Sequence, residues 1–128
     1  MNVLDENIIA PERERLRAWR IHFRSIGEEV GHLGMKDRDE IIPLLHTLQK
    51  PTFFTRDRGF YRPMLLYARY CLVYLEVEAD ETAEYIRRFL RHELFRTRDQ
   101  RMGKVVRVRH SGVRYRQVRE KRERALRW

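Results

Sequence analysis

Short apolar runs alternate with amphipathic stretches along this 128-residue chain, and that alternation predicts the order of its elements. The opening Asn2-Val3-Leu4 reads as a short buried strand that stops at the polar cluster Asp5-Glu6-Asn7. From Pro11, suited to a first helical turn, Leu16, Trp19, Phe23 and Ile26 recur at helical spacing. Gly27 offers a stop, so the pattern predicts a helix. EVGHLG at 29–34 reads as a second strand, and KDRDEIIPLLHTLQK as a helix turning Ile41, Leu44, Leu45 and Leu48 inward. Asp37 or Asp39 can cap that helix, and Asp37 with Glu40 fits a capping box. PTFFT at 51–55 predicts a third strand and YCLVYLEV at 70–77 a fourth, with FYRPMLLYA between them as a short helix or turn. In DETAEYIRRFLRH at 80–92, Ile86, Phe89 and Leu90 share a face, with acids first and bases last as a helix dipole favours.

Strands alternating with helices are the pattern of a parallel α/β sheet with right-handed crossovers. The end of the chain differs in kind. KVVRVRH and VRYRQV flank Ser111-Gly112 with alternating apolar and basic residues, which predicts a β-hairpin with one arginine-rich, solvated face. The closing RQVREKRERALRW reads as a basic helix or a frayed tail. A chain of this length with 42% hydrophobic residues builds one core and excludes two domains. Residues 1–103 are expected to form the α/β unit, with 104–128 packed on it or extending it.

Charge sharpens this division. The net charge is +9, but residues 1–85 hold 12 basic and 15 acidic side chains whereas residues 86–128 hold 16 and 4. A polyanionic partner is favoured over a cationic one. The single cysteine, Cys71, excludes an internal disulfide, and no Cys/His cluster has zinc-site spacing. The longest apolar stretches, such as CLVYL at 71–75, fall far short of the ~20 residues a spanning helix needs. The start of the chain is acidic where a signal peptide is basic. A cytoplasmic protein without a membrane partner is the expectation.

Candidate chemistry lies where the strands end. In open α/β sheets the functional crevice forms at the carboxyl ends of the strands, here marked by Asp5 and Glu6 after the first and Asp57 after the third. Asp37, Asp39 and Glu40 open a helix beyond the second. Clustered carboxylates repel one another unless a hard cation such as Mg²⁺ or Mn²⁺ joins them, and such a site suits phosphodiester hydrolysis. Thr55 and Asn7 can orient the ligand carboxylates or metal-bound water. Arg56, Arg58 and Arg62 around Asp57, with Arg107, Arg109, Arg114 and Arg116 of the hairpin, can hold a phosphate backbone. Each feature has a plainer reading: turn or cap residues for Asp5 and Asn7, dipole-favoured acids for Asp39 and Glu40, a turn for Asp57 and surface ion pairs for the arginines. The hairpin face leaves a solvated surface, nucleic-acid contact and docking of an acidic protein all open. The five histidines stand apart and read as surface or hydrogen-bonded residues, and Cys71 as an inert buried thiol.

The succession NVLDENI at 2–8, a helix, HLG at 32–34, DRDEII at 37–42 and TFFTRDRGFY at 52–61 resembles the PIN-like fold, in particular its compact branch with LDEN and T-x-D-x-D-F elements. The resemblance covers roughly residues 1–77 and continues to about 92. It implies a three-layer α/β fold with a mainly parallel central sheet, and a Mg²⁺- or Mn²⁺-dependent ribonuclease, often the toxin of a bacterial toxin–antitoxin pair of the VapC type. RNA, and an antitoxin protein, are the partners it implies, and a homodimer is compatible with it. Asp5 matches the acid of strand one, Asp39 or Glu40 the acid opening the next helix, and Asp57 the first acid of T-x-D-x-D-F. Gly59 stands where that element has its second acid. The alternative is therefore a weak or inactive module of the same fold that binds RNA or a partner protein through its arginines.

Overall fold

The computed structural model describes residues 1–35 and 38–128. Seven strands, β1 (Asn2–Leu4), β2 (Arg24–Ser25), β3 (Thr52–Thr55), β4 (Cys71–Leu75), β5 (Lys104–Arg109), β6 (Gly112–Gln117) and β7 (Arg124–Arg127), form one sheet in the order β2-β1-β3-β4-β5-β6-β7. The first five in that order run parallel, and β6 and β7 return antiparallel. Among the described residues four α-helices accompany them: α1 (Ala10–Ala18), α2 (Arg38–Thr47), α3 (Thr82–Arg91) and the single turn α4 (Arg98–Arg101).

The α/β expectation and the mainly parallel sheet are met. Helices cover both faces. Leu16 of α1 and Ile86 and Phe89 of α3 pack with Leu4, Phe54, Val73 and Val106 on one face, while Ile41 and Leu45 of α2 pack with Val3, Phe53, Leu72 and Val105 on the other. Neighbouring side chains along a strand point to opposite faces, so these continuous apolar runs feed two cores at once.

Three local expectations need correction. The first helix ends at Ala18, capped by Trp19. Arg20 then takes a positive φ of 59°, and the chain turns so that Arg24 and Ser25 pair with Val3 and Leu4. Phe23 and Ile26 flank β2 instead, one packing against each core. Residues 29–34 are turns; only Val30 makes an isolated bridge to Ile26. The closing segment is neither helix nor frayed tail: β7 pairs with β6, and Trp128 Nε1 donates to the Arg109 carbonyl at 2.8 Å. The alternation of Leu126 toward the core with Ala125 and Arg127 on the other face is the period-two signal, masked in the sequence by the arginines around it.

The hairpin itself is as expected, with a reason for its glycine. Gly112 has a φ of 152°, and a Cβ there would meet the Leu126 carbonyl at 2.0 Å, so only glycine lets β7 approach. Glu12, an unanticipated buried acid, accepts from Ala83 N at 3.0 Å and from Arg15, satisfying the start of α3 from a different helix.

Candidate functional site

The carboxyl ends of β1 and β3, hydrogen-bonded neighbours in the sheet, bring Asp5 and Asp57 to one rim. Asp5 is 4% exposed. Its Oδ1 accepts from Glu6 N at 2.7 Å and its Oδ2 from Thr55 Oγ1 at 2.7 Å. The same hydroxyl accepts from Asp57 N at 3.0 Å and from Asn7 Nδ2 at 3.2 Å, so Thr55 ties both strand ends together. Asn7 Oδ1 in turn accepts from Arg56 N at 3.1 Å. Thr55 thus bonds the Asp5 carboxylate directly, while Asn7 bonds the Thr55 hydroxyl and the Arg56 amide and touches neither carboxylate.

Burial pushes the Asp5 carboxyl above its ordinary value of 3.8, and the charges of Asp57 and Glu6 push it further, against the hydrogen bonds from Thr55 and Glu6 N. Among the described residues its hydrogen-bond donors are the Glu6 amide and the Thr55 hydroxyl, neither of them charged. Asp57 Oδ1 accepts from Gly59 N at 2.8 Å and caps the 3₁₀ turn Arg58–Phe60. Glu6 Oε1 accepts from Gly34 N at 2.8 Å at the outer margin.

The other acids lie elsewhere. Asp39 lines a groove with Arg38, Ile42, Pro43, Met64 and Leu65, and Glu40 faces His32 at 3.2 Å. Asp37 falls outside the described residues. Among the described residues no three Asp, Glu, His or Cys side chains form a group that could hold a metal ion.

Strand register joins the acids to the arginines. Asp5 follows Leu4, which pairs with Phe54; Thr55 pairs with Tyr74, Tyr74 with Arg107, and Arg107 with Arg114. Side chains directly opposite one another across a sheet share a face, so Asp5, Thr55, Tyr74, Arg107 and Arg114 form one row. At ~4.8 Å per strand, Asp5 and Arg107 stand roughly 14 Å apart across the sheet. Arg109 and Arg116 flank the row on the same face. A cavity of about 380 Å³ opens on this face between Arg109, Arg114 and Arg127.

These arginines are already paired. Glu76, just past β4, bonds Arg107 and lies 3.7 Å from Arg109; Arg107 in particular holds its carboxyl below the ordinary range. Glu123 lies 3.1 Å from Arg114 and 4.0 Å from Arg116, and accepts from Tyr61 Oη at 2.8 Å. Burial pushes the Glu123 carboxyl upward, but its bonds to Tyr61 and Arg114 outweigh this and hold it below its ordinary value. Arg56 bonds the Val77 carbonyl through Nη2, and its buried Nε has no hydrogen-bond partner among the described residues. Arg58 and Arg62 are exposed. Tyr74, Glu76 and Glu123 were missed in the sequence. Tyr74 reads there as one more residue of an apolar strand, and the glutamates come forward only once strand pairing is known.

No family model, curated protein or solved structure matches this chain.

Proposed function

We propose that the chain is a PIN-like domain that binds RNA along the open sheet face and cleaves it with Mg²⁺ or Mn²⁺ recruited between Asp5 and Asp57. The observation that carries this reading is the single row from Asp5 through Thr55 and Tyr74 to Arg107 and Arg114, which sets a buried carboxylate on the same sheet face as a run of arginines. Two carboxylates fit a hard cation that fills its remaining positions with water and substrate phosphate; they do not make a three-carboxylate resident site. A cation bound there supplies an activated water and neutralises charge developing on the phosphate.

The chain's own residues do the rest. Thr55 fixes the orientation of the Asp5 carboxylate, and Asn7 holds the backbone at Arg56. Arg107, Arg109, Arg114 and Arg116 exchange their glutamate partners for phosphates, a swap that stays in the same charge class and releases counterions. Tyr74 presents an aromatic side chain between acid and base, where a nucleobase can stack. If the domain is the toxin of a pair, an acidic antitoxin segment would compete for this same face.

A second reading is favoured by Gly59, whose N–H occupies Asp57 Oδ1 where the family's second acid would stand. In that reading the domain holds RNA without cutting it. Labelled RNA incubated with the purified chain, with Mn²⁺ or with chelator, separates the two. The nuclease reading expects cation-dependent cleavage that Asp57→Asn reduces by about 100-fold or more, with circular dichroism and RNA affinity unchanged. Binding with no cleavage above the Asp57→Asn background selects the second reading.

A further inference from the structure

β7 is the last strand of the sheet and pairs with β6 alone, so one of its two backbone sides is an edge. The register sets Leu126 opposite Val113, and the Leu126 carbonyl lies close against Gly112 of β6. Main-chain groups point to alternate sides of a strand from one residue to the next. Leu126 therefore bonds β6, and the N–H and C=O groups of Ala125 and Arg127 point outward. Among the described residues nothing hydrogen-bonds them. The opposite edge, β2, is two residues long, whereas β7 has four, and Arg124, Ala125 and Arg127 are exposed.

The side chains around this edge are sorted by face. Ala125 pairs with Arg114, and Arg127 with Gly112, itself opposite Arg109, so Ala125 and Arg127 lie on the arginine face and border its cavity of about 380 Å³. Leu126 and Trp128 pack on the apolar core of the other face. Arg127, and Arg122 just before the strand, have no ion-pair partner among the described residues. Charges along an edge deter pairing with a copy of the same strand, because like charges then stand opposite one another. The same charges attract an acidic strand. An RNA can neutralise the arginines, but it has no row of alternating N–H and C=O groups to satisfy the backbone of Ala125 and Arg127.

We infer that β7 takes up an extended acidic segment of another protein as one more antiparallel strand, its acids on the arginine face and its alternate apolar side chains beside Leu126. The inference stands apart from the ribonuclease reading, since it needs neither Asp5 nor Asp57.

Fluorescence anisotropy of a short labelled peptide that alternates glutamate with valine, titrated with the full chain, tests it. Residues opposite one another share a face, and Ala125 and Arg127 form the outward hydrogen bonds, so the glutamate amides are the ones that face β7. Saturable binding is expected, weakened about tenfold or more when the glutamate nitrogens are methylated and changed less than about twofold when the valine nitrogens are. Ala125→Pro removes one outward N–H without touching the bonds to β6, and should weaken binding about tenfold with an unchanged circular dichroism spectrum. Arg127→Glu should weaken it several-fold, and Arg24→Ala, at the opposite edge of the sheet, should leave it unchanged. The methylated peptides test the backbone pairing on the unaltered chain, whatever the proline does to folding. No saturable binding, equal affinity of the two methylated peptides, or equal weakening by Arg24→Ala overturns the inference and leaves the arginines as guards of the edge that attract acids diffusely.

Discussion

The two ends of the row across the open sheet face are built on opposite physical terms. At Asp5 the carboxylate is buried, its position is set by Thr55, and its charge is poorly compensated. At Arg107 and Arg114 the guanidinium groups sit at the surface, each matched to a glutamate, in geometry that solvent and salt weaken. The acid end is therefore buried and fixed by hydrogen bonds, and the basic end is held by solvent-accessible ion pairs. A site that must hold a cation in fixed geometry, yet accept a varied polyanion, calls for this division.

The sharpest way to break the comparison is at Thr55. Thr55→Val removes a buried hydroxyl that donates to Asp5 and accepts from Asp57 N and Asn7, and is expected to destabilise by about 2–3 kcal/mol, read by urea denaturation. A change below about 0.5 kcal/mol, the scale of an ordinary surface substitution, would show that the acid end is not rigidly tied. The pH dependence follows from the same group. Because the folded state raises the Asp5 pKa above 3.8, the native chain binds more protons than the unfolded one in the window above that value. Stability should thus be highest below 3.8 as far as this group is concerned, and fall as pH rises through the folded value. Asp5→Asn should flatten that part of the profile.

Next in size is Trp128, which packs partly buried against the core and bonds Arg109. Trp128→Ala should cost about 2 kcal/mol, measured by thermal or chemical unfolding, whereas a frayed tail would give no change. At the basic end, Arg107→Ala with Arg114→Ala should weaken RNA binding about tenfold and lower the salt slope by about two. Fluorescence anisotropy over a salt series measures both. Smallest is Glu76→Gln, which frees Arg107 from competition and should tighten RNA binding a few-fold; a loss of affinity would mean that Glu76 positions the arginine rather than occupying it.

Much of this was legible in the sequence. The apolar runs 2–4, 52–55 and 71–75 are strands because β-branched, aromatic and aliphatic side chains in short runs feed two cores, and Ile86 and Phe89 are helical because their spacing is joined by acids at the start of the segment and bases at its end. The hairpin was visible from its period of two, and the carboxylates at strand ends from the way open sheets present their rims. Local pattern failed where pairing is long-range. Phe23 and Ile26 kept helical spacing while the chain had already turned at Arg20, and β7 hid among arginines because its pairing partner lies in β6.

What the sequence by itself determined is therefore the inventory: strands, helices, a hairpin, acids at two strand ends and a strongly basic last third. Which acids meet was decided only by the tertiary structure. Adjacency of β1 and β3 brings Asp5 to Asp57, whereas Asp39, in the first turn of α2, lines a separate groove with Met64 and Leu65. Tyr74 became part of the row, and Ala125 and Arg127 the outward side of an edge, through strand register, a quantity set by residues distant in the chain. Spacing along a sequence encodes the face of one element; the sharing of a face between elements is encoded only in how they pack.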